Sequence, residues 1–285
     1  MIRTGLTYHA PDHAEQACLL LSELGDEAVV LGGGTVLLPA MGRGERTHGH
    51  VVDLRRLGLS GVTVTDEYVD IGAMATYSTV LAADTDGPAA LLKLAAGGVT
   101  GGPQLRNQGT IGGSASYANP ASDVPGVLVA MEAQLLLQGS DGVREVAAED
   151  FFKGAFVTAL EADEILTTIR VPQKACQVGY YKLKLSESSW PIATAAARVE
   201  LVDGRLAAAS VTLGAVCPTP VTVDVTACLD ESGEVRVSDD EWAELVDGHL
   251  ENPWHDDLAP ATYRRQVAGV VAHRALQHTS RGGER

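Results

Sequence analysis

Two glycine-rich segments carry the residues best suited to chemistry. The first reads Leu31-Gly32-Gly33-Gly34-Thr35-Val36-Leu37-Leu38-Pro39 and follows a short apolar run, Ala28–Leu31, that predicts a buried strand. Glycines after a strand let the main chain turn sharply and bring its N–H groups toward an anion. No Gly-Lys-Ser/Thr follows, so this is not the phosphate loop of nucleotide hydrolases. Val36, Leu37 and Leu38 stand where a G-x-G-x-x-G fingerprint needs its last glycine. The second segment is Arg106-Asn107-Gln108-Gly109-Thr110-Ile111-Gly112-Gly113-Ser114, with hydroxyls on either side of a glycine pair. Asp123 follows just before an apolar helical run. A carboxylate there can cap the helix or accept from the sugar hydroxyls of a nucleotide. Two separate anion cradles suit a diphosphate better than one.

Other constellations are weaker. His48-Gly49-His50 has the look of a metal pair, but no third ligand is near and an exposed loop is expected. The four cysteines, Cys18, Cys176, Cys217 and Cys228, share no short spacing, so neither zinc nor an iron–sulfur cluster is expected on this chain. Trp190, Trp242 and Trp254 read as packing or interface residues. No nucleophile triad or H-E-x-x-H motif is present. No catalytic residue and no metal ligand is named.

The formal charge of −16 argues against a nucleic-acid partner. No apolar run approaches ~20 residues and the N-terminus lacks a signal-type apolar stretch, so a cytoplasmic chain without a membrane span is expected. Between residues 221 and 260 the chain holds 12 acids and one base, Arg236, which reads first as a solvated face and second as a docking surface for a basic partner.

The elements that position these segments follow from periodicity. Ala17, Leu20, Leu21 and Leu24 share one helical face, which Gly25 ends. Strands are predicted at 51–54, 62–65, 68–71, 134–138 and 165–171, and helices at 88–96 and 124–133. Residues 97–116 read as a long irregular stretch. Pro172 ends a strand, and 172–178 is the expected domain boundary. Strands then follow at 179–185, 192–202 and 205–217, with helices near 219–229, 239–247 and 261–277.

The two glycine segments, with Asp123 at its distance from Thr110, resemble the flavin signature of the molybdenum hydroxylase flavoprotein family, the carbon monoxide dehydrogenase and xanthine dehydrogenase type. The resemblance continues through Ile71-Gly72-Ala73-Met74, Phe151-Phe152-Lys153-Gly154, Asp163-Glu164-Ile165-Leu166, Tyr181-Lys182-Leu183-Lys184, Leu213-Gly214-Ala215-Val216 and Tyr263-Arg264-Arg265. It spans nearly the whole chain. It implies an α+β protein: a two-lobed α/β FAD-binding domain over 1–172 (lobes about 1–55 and 56–172), then a smaller α+β domain over 178–279 and a loose tail at 280–285. It implies that Gly32, Gly33, Gly34, Thr35 and Val36, with Thr110, Ile111, Gly112, Gly113 and Ser114, hold the FAD pyrophosphate. It also implies that Asp123, Leu166 and Lys182 meet other parts of the cofactor. Val36 stands where relatives often have Asp or Ser, and residues 186–191 lack arginines common after the lysine. The implied role is electron transfer. Iron–sulfur clusters of a small partner subunit would reduce FAD, and NAD, a quinone or oxygen would reoxidise it. A large partner would carry the molybdenum cofactor, in a dimer of heterotrimers. The alternative is a stand-alone FAD-dependent oxidase or reductase of the same fold.

Overall fold

The computed structural model describes residues 5–279, so the tail expected at 280–285 lies outside the described residues. The first lobe is a small parallel sheet. Its strands are β1 (Thr7–His9), β2 (Ala28–Leu31) and β3 (His50–Asp53), in the order β1-β3-β2. Helix α1 (Ala14–Leu24) supplies the crossover and buries Ala17, Cys18 and Leu21 on one face, as the sequence spacing requires. Helix α2 (Leu37–Arg43) starts at the end of the first glycine segment and returns the chain to β3. His50 is not in an exposed loop: it lies on β3 and its ring stacks on His9, with a 2.9 Å contact between His9 Nε2 and His50 Nδ1.

The second lobe opens with β4 (Val62–Val64) and β5 (Tyr68–Gly72). Helices α3 (Tyr77–Ala82), α4 (Ala90–Gly97), α5 (Gly102–Arg106), α6 (Ile111–Tyr117) and α7 (Asp123–Ala130) follow. It closes with β6 (Gln134–Gly139), β7 (Gly142–Ala147), α8 (Ala148–Phe151), the small hairpin β8 (Phe152–Gly154) and β9 (Val157–Thr158), and β10 (Ile165–Pro172). The antiparallel sheet runs β4-β5-β10-β6-β7. Residues 97–116 are therefore not wholly irregular. Two short helices form there despite seven glycines, because Gly101 and Thr110 start them and the body of the lobe holds them.

The second domain is a four-stranded antiparallel sheet of β11 (Gln177–Lys184), β12 (Pro191–Val202), β13 (Arg205–Gly214) and β14 (Val221–Asp224), in sequence order. The helix expected at 219–229 is instead β14 and a single 3-10 turn at Thr226–Cys228. Val221, Val223 and Val225 alternate, and β-branched residues at period 2 favour a strand once β13 offers an edge. Helices α9 (Asp239–Asp247) and α10 (Ala261–Thr279) cover one face. Three acids of the 221–260 stretch, Asp239, Asp240 and Glu241, have a local purpose. They sit in the first turn of α9, where Ser238 and Glu241 form a capping box.

Strand alternation decides which side chains of this sheet reach the first domain. On β12, Ala193, Ala195, Ala197 and Val199 pack into the second domain's own core, while Ala196 packs into the core of the second lobe. Arg198, on the same face as Ala196, donates to the Ala130 carbonyl at the end of α7 and pairs with Glu132. On β11, Tyr181 and Leu183 join the domain's own core, and Val178 and Tyr180 pack against the lobe. No helix among the described residues is long and apolar enough to cross a membrane.

Candidate functional site

A cleft of about 540 Å³ opens between the two lobes and the edge of the second domain. Every residue that the resemblance assigns to the cofactor lines it except Ile111, which is fully buried.

The two glycine segments contribute differently. The N–H groups of Gly33, Gly34, Thr35 and Val36 have no acceptor among the described residues, while the Leu38 N–H returns to the Gly34 carbonyl at 3.1 Å. These free donors are what an anion cradle needs. In the second segment the expected free donors are already committed. Ile111 and Gly112 donate to the carbonyls of Ala75 and Ala73 at 2.9 Å each, and Ser114 donates to the Thr110 carbonyl at 3.1 Å. Gly113 donates to the Thr110 hydroxyl at 3.2 Å, the N-terminal cap of α6. This segment offers a ligand the Ser114 hydroxyl, which shares a 2.6 Å hydrogen bond with the Tyr77 hydroxyl, and a wall that carries no side chain at Gly112 and Gly113.

Its glycines are there for close packing. A Cβ on Gly112 would lie 2.6 Å from the Ala73 carbonyl oxygen, and one on Gly33 would lie 2.1 Å from that of Gln108. The two segments thus meet backbone to backbone. Only glycine allows that approach.

Asp123 is the first residue of α7, not its cap; Ser122 holds the cap position, and no side-chain cap bond forms. The carboxylate is gripped from the second domain instead. Tyr180 donates to Oδ1 at 2.5 Å and Lys182 to Oδ2 at 2.8 Å. Lys182 also donates to the Gly98 carbonyl at 3.1 Å. The side chains of Lys182 and Asp123 are each only 8% exposed, so this is a buried ion pair that joins the domains at the cleft wall. Burial pushes the Tyr77 phenol up to about 12, and burial beside the Asp123 carboxylate pushes Tyr180 well above 10. Both phenols stay protonated and can act as neutral donors. Leu166, on β10, presents a buried apolar side chain to the cleft.

The charges on the cleft wall largely cancel. Arg43 pairs with Glu45, Glu164 with Arg144 and Asp123 with Lys182. Arg46 also lines the cleft and has no partner among the described residues. Among the tryptophans, Trp242 is buried and donates to the Gly269 carbonyl, whereas Trp190 is half exposed on the cleft wall beside Pro191. Sequence reasoning passed over Tyr77 and Tyr180. For Tyr180 a signal was present: it lies two residues before Lys182 on one strand, hence on the same face.

No group of three or more His, Cys, Asp or Glu among the described residues could hold a metal ion. Burial pushes the thiols of Cys18, Cys176 and Cys217 each up to about 11, so they are poor nucleophiles at neutral pH.

Residues 3–174 match the family described as the FAD binding domain in molybdopterin dehydrogenase, and residues 179–279 match the CO dehydrogenase flavoprotein C-terminal domain. The chain is 35% identical to the carbon monoxide dehydrogenase medium chain of Afipia carboxidovorans, over 97% of each. The solved carbon monoxide dehydrogenase of Hydrogenophaga pseudoflava superposes with a TM-score of 0.88 at 32% identity, covering 99% of each chain. Quinoline 2-oxidoreductase from Pseudomonas putida superposes at 0.85 with 26% identity, covering 100% of each. The chain belongs to the family of FAD-binding medium subunits of molybdopterin hydroxylases, and is therefore an oxidoreductase subunit.

Proposed function

We propose that this chain holds FAD in the cleft and carries electrons from iron–sulfur clusters of a small partner subunit to a terminal acceptor: NAD, a quinone or oxygen. A large partner would bear the molybdenum cofactor and bind the substrate, in a dimer of heterotrimers. The observation that carries the reading is the row of unpaired N–H groups at Gly33, Gly34, Thr35 and Val36, on residues that line the cleft. These donors and the Ser114 hydroxyl fit a pyrophosphate. The remaining lone pairs of Asp123 fit ribityl or ribose hydroxyls, and Lys182 and Leu166 bound the far end.

When bound, FAD supplies the redox chemistry. The chain's own residues bind, orient and exclude water. Tyr77, Tyr180 and Lys182 are donors with fixed positions, and the buried Ile111, Ile165 and Leu166 keep the wall dry. No side chain is assigned a proton-transfer step.

The test is anaerobic flavin bleaching. The native complex should contain this chain, a molybdenum subunit and an iron–sulfur subunit, and its flavin should bleach with the complex's substrate. Rapid substrate-driven bleaching of this chain without partners would reject the relay in favour of a self-sufficient flavoenzyme.

A further inference from the structure

We propose that Tyr180 is a positioning residue for the cofactor, acting through Asp123; the inference rests on the reading that Asp123 contacts FAD. Two observations support it. The Tyr180 hydroxyl donates to Asp123 Oδ1 at 2.5 Å, so the carboxylate is fixed at one oxygen by Tyr180 and at the other by Lys182. The main chain of Tyr180 is itself held: His278 Nδ1 on α10 meets the Tyr180 carbonyl at 2.7 Å.

The physical argument concerns rotation. A carboxylate held by one lysine can turn about χ2 and trade oxygens. Held at both oxygens by different donors, it keeps one plane, and its free lone pairs point in set directions. Those lone pairs are what a sugar or ribityl hydroxyl would meet. Tyr180 lies behind Asp123 and is not among the residues that line the cleft, so it orients the ligand contact without making one. Its hydrogen also satisfies a buried carboxylate oxygen that would otherwise lack a partner.

The experiment is a double-mutant cycle on FAD affinity, measured on the full chain in the complex it purifies with, after flavin removal. The variants are Tyr180→Phe, Asp123→Asn and the double. Tyr180→Phe should raise the FAD Kd by about 3- to 10-fold, the scale of one misdirected hydrogen bond. In the Asp123→Asn background the same change should have almost no effect, because nothing remains to be oriented. Folding is monitored separately by melting without FAD, so a general loss of stability cannot imitate the coupling. If the two effects multiply independently, Tyr180 is merely structural and the inference is overturned. If Asp123→Asn leaves FAD affinity unchanged, the Asp123 assignment falls and takes the inference with it.

Discussion

Gly33→Ala should damage the site through the protein before it touches any ligand. The new Cβ would lie 2.1 Å from Gln108 O, 2.9 Å from Gln108 C and 3.0 Å from Gly109 Cα. All three are backbone atoms, so no rotamer change relieves them, and the two glycine segments must part by about 1 Å. Overpacking typically costs ~1–3 kcal/mol. The upper part of that range is expected here. The Tyr77 N–H reaches the Gly109 carbonyl at 3.3 Å, already at the limit of a hydrogen bond, and a shift of this size breaks it. At roughly 2–4 °C per kcal/mol for a chain of this length, melting without FAD should fall by about 5–10 °C. Gly34→Ala is the control. Gly34 has φ +70°, but its Cβ would meet only the side-chain carbons of Leu38 and Leu31, so the cost is backbone strain of ~1 kcal/mol. The assay is thermal unfolding without flavin, followed by FAD titration. A Gly33→Ala chain that melts with its parent and takes up FAD with the parent's affinity would refute the backbone-to-backbone contact.

Other substitutions separate the roles of neighbouring residues. Lys182→Met strands a buried carboxylate and should cost about 3–5 kcal/mol, read by urea unfolding, with FAD content falling in parallel. Arg46→Met should leave melting unchanged but raise the FAD Kd by about 2- to 5-fold and flatten its salt dependence, since it removes the cleft's unpaired cation. Arg264 is fully buried and donates to the carbonyls of Ile192, Ala215 and Ala259 and to the Asp256 carboxylate. Arg264→Met should therefore cost ~3 kcal/mol or more, and Lys should rescue it only in part. Burial raises the Asp256 carboxyl, but the Ala259 N–H and the Arg264 guanidinium outweigh it and hold it below 3.8. A depressed folded pKa gives stability that is complete above the unfolded value and lost as pH falls through the folded one. Asp256→Asn should thus flatten the stability loss below about pH 4, measured by unfolding across pH.

Much of the architecture was legible because burial imposes periodicity. The α1 stripe, the Ala28–Leu31 strand and the long apolar strands β10, β12 and β13 all announce themselves. What escaped was set by tertiary contact. Helix α6 carries a Gly-Gly pair that local propensity counts against. It forms because Thr110 caps it and the carbonyls of Ala73 and Ala75 take its first donors, residues more than 30 positions away in sequence. Strand β7 is mostly exposed and polar, so it lacks the alternation that marks a half-buried strand, and it pairs only because β6 presents an edge. At the site, the glycine segments and Asp123 were visible as residue types. The commitment of Ile111, Gly112, Gly113 and Ser114 donors to protein acceptors was not, because it depends on where the second lobe folds back. Tyr180 belongs to another domain, and only the docking of β11 brings it to Asp123.

The grip of β11 on Asp123 also bears on how such chains diverge. Positions 123, 180 and 182 lie on two domains yet satisfy one carboxylate, so a substitution at any one of them is judged by the state of the other two. Tolerated change at these positions should arrive in concert, with intermediates that are less fit than either end. A chimera that takes its second domain from a relative inherits half of this arrangement and must match the other half. In a combinatorial library, members that vary the three positions jointly should survive selection more often than the product of the single-site tolerances would suggest.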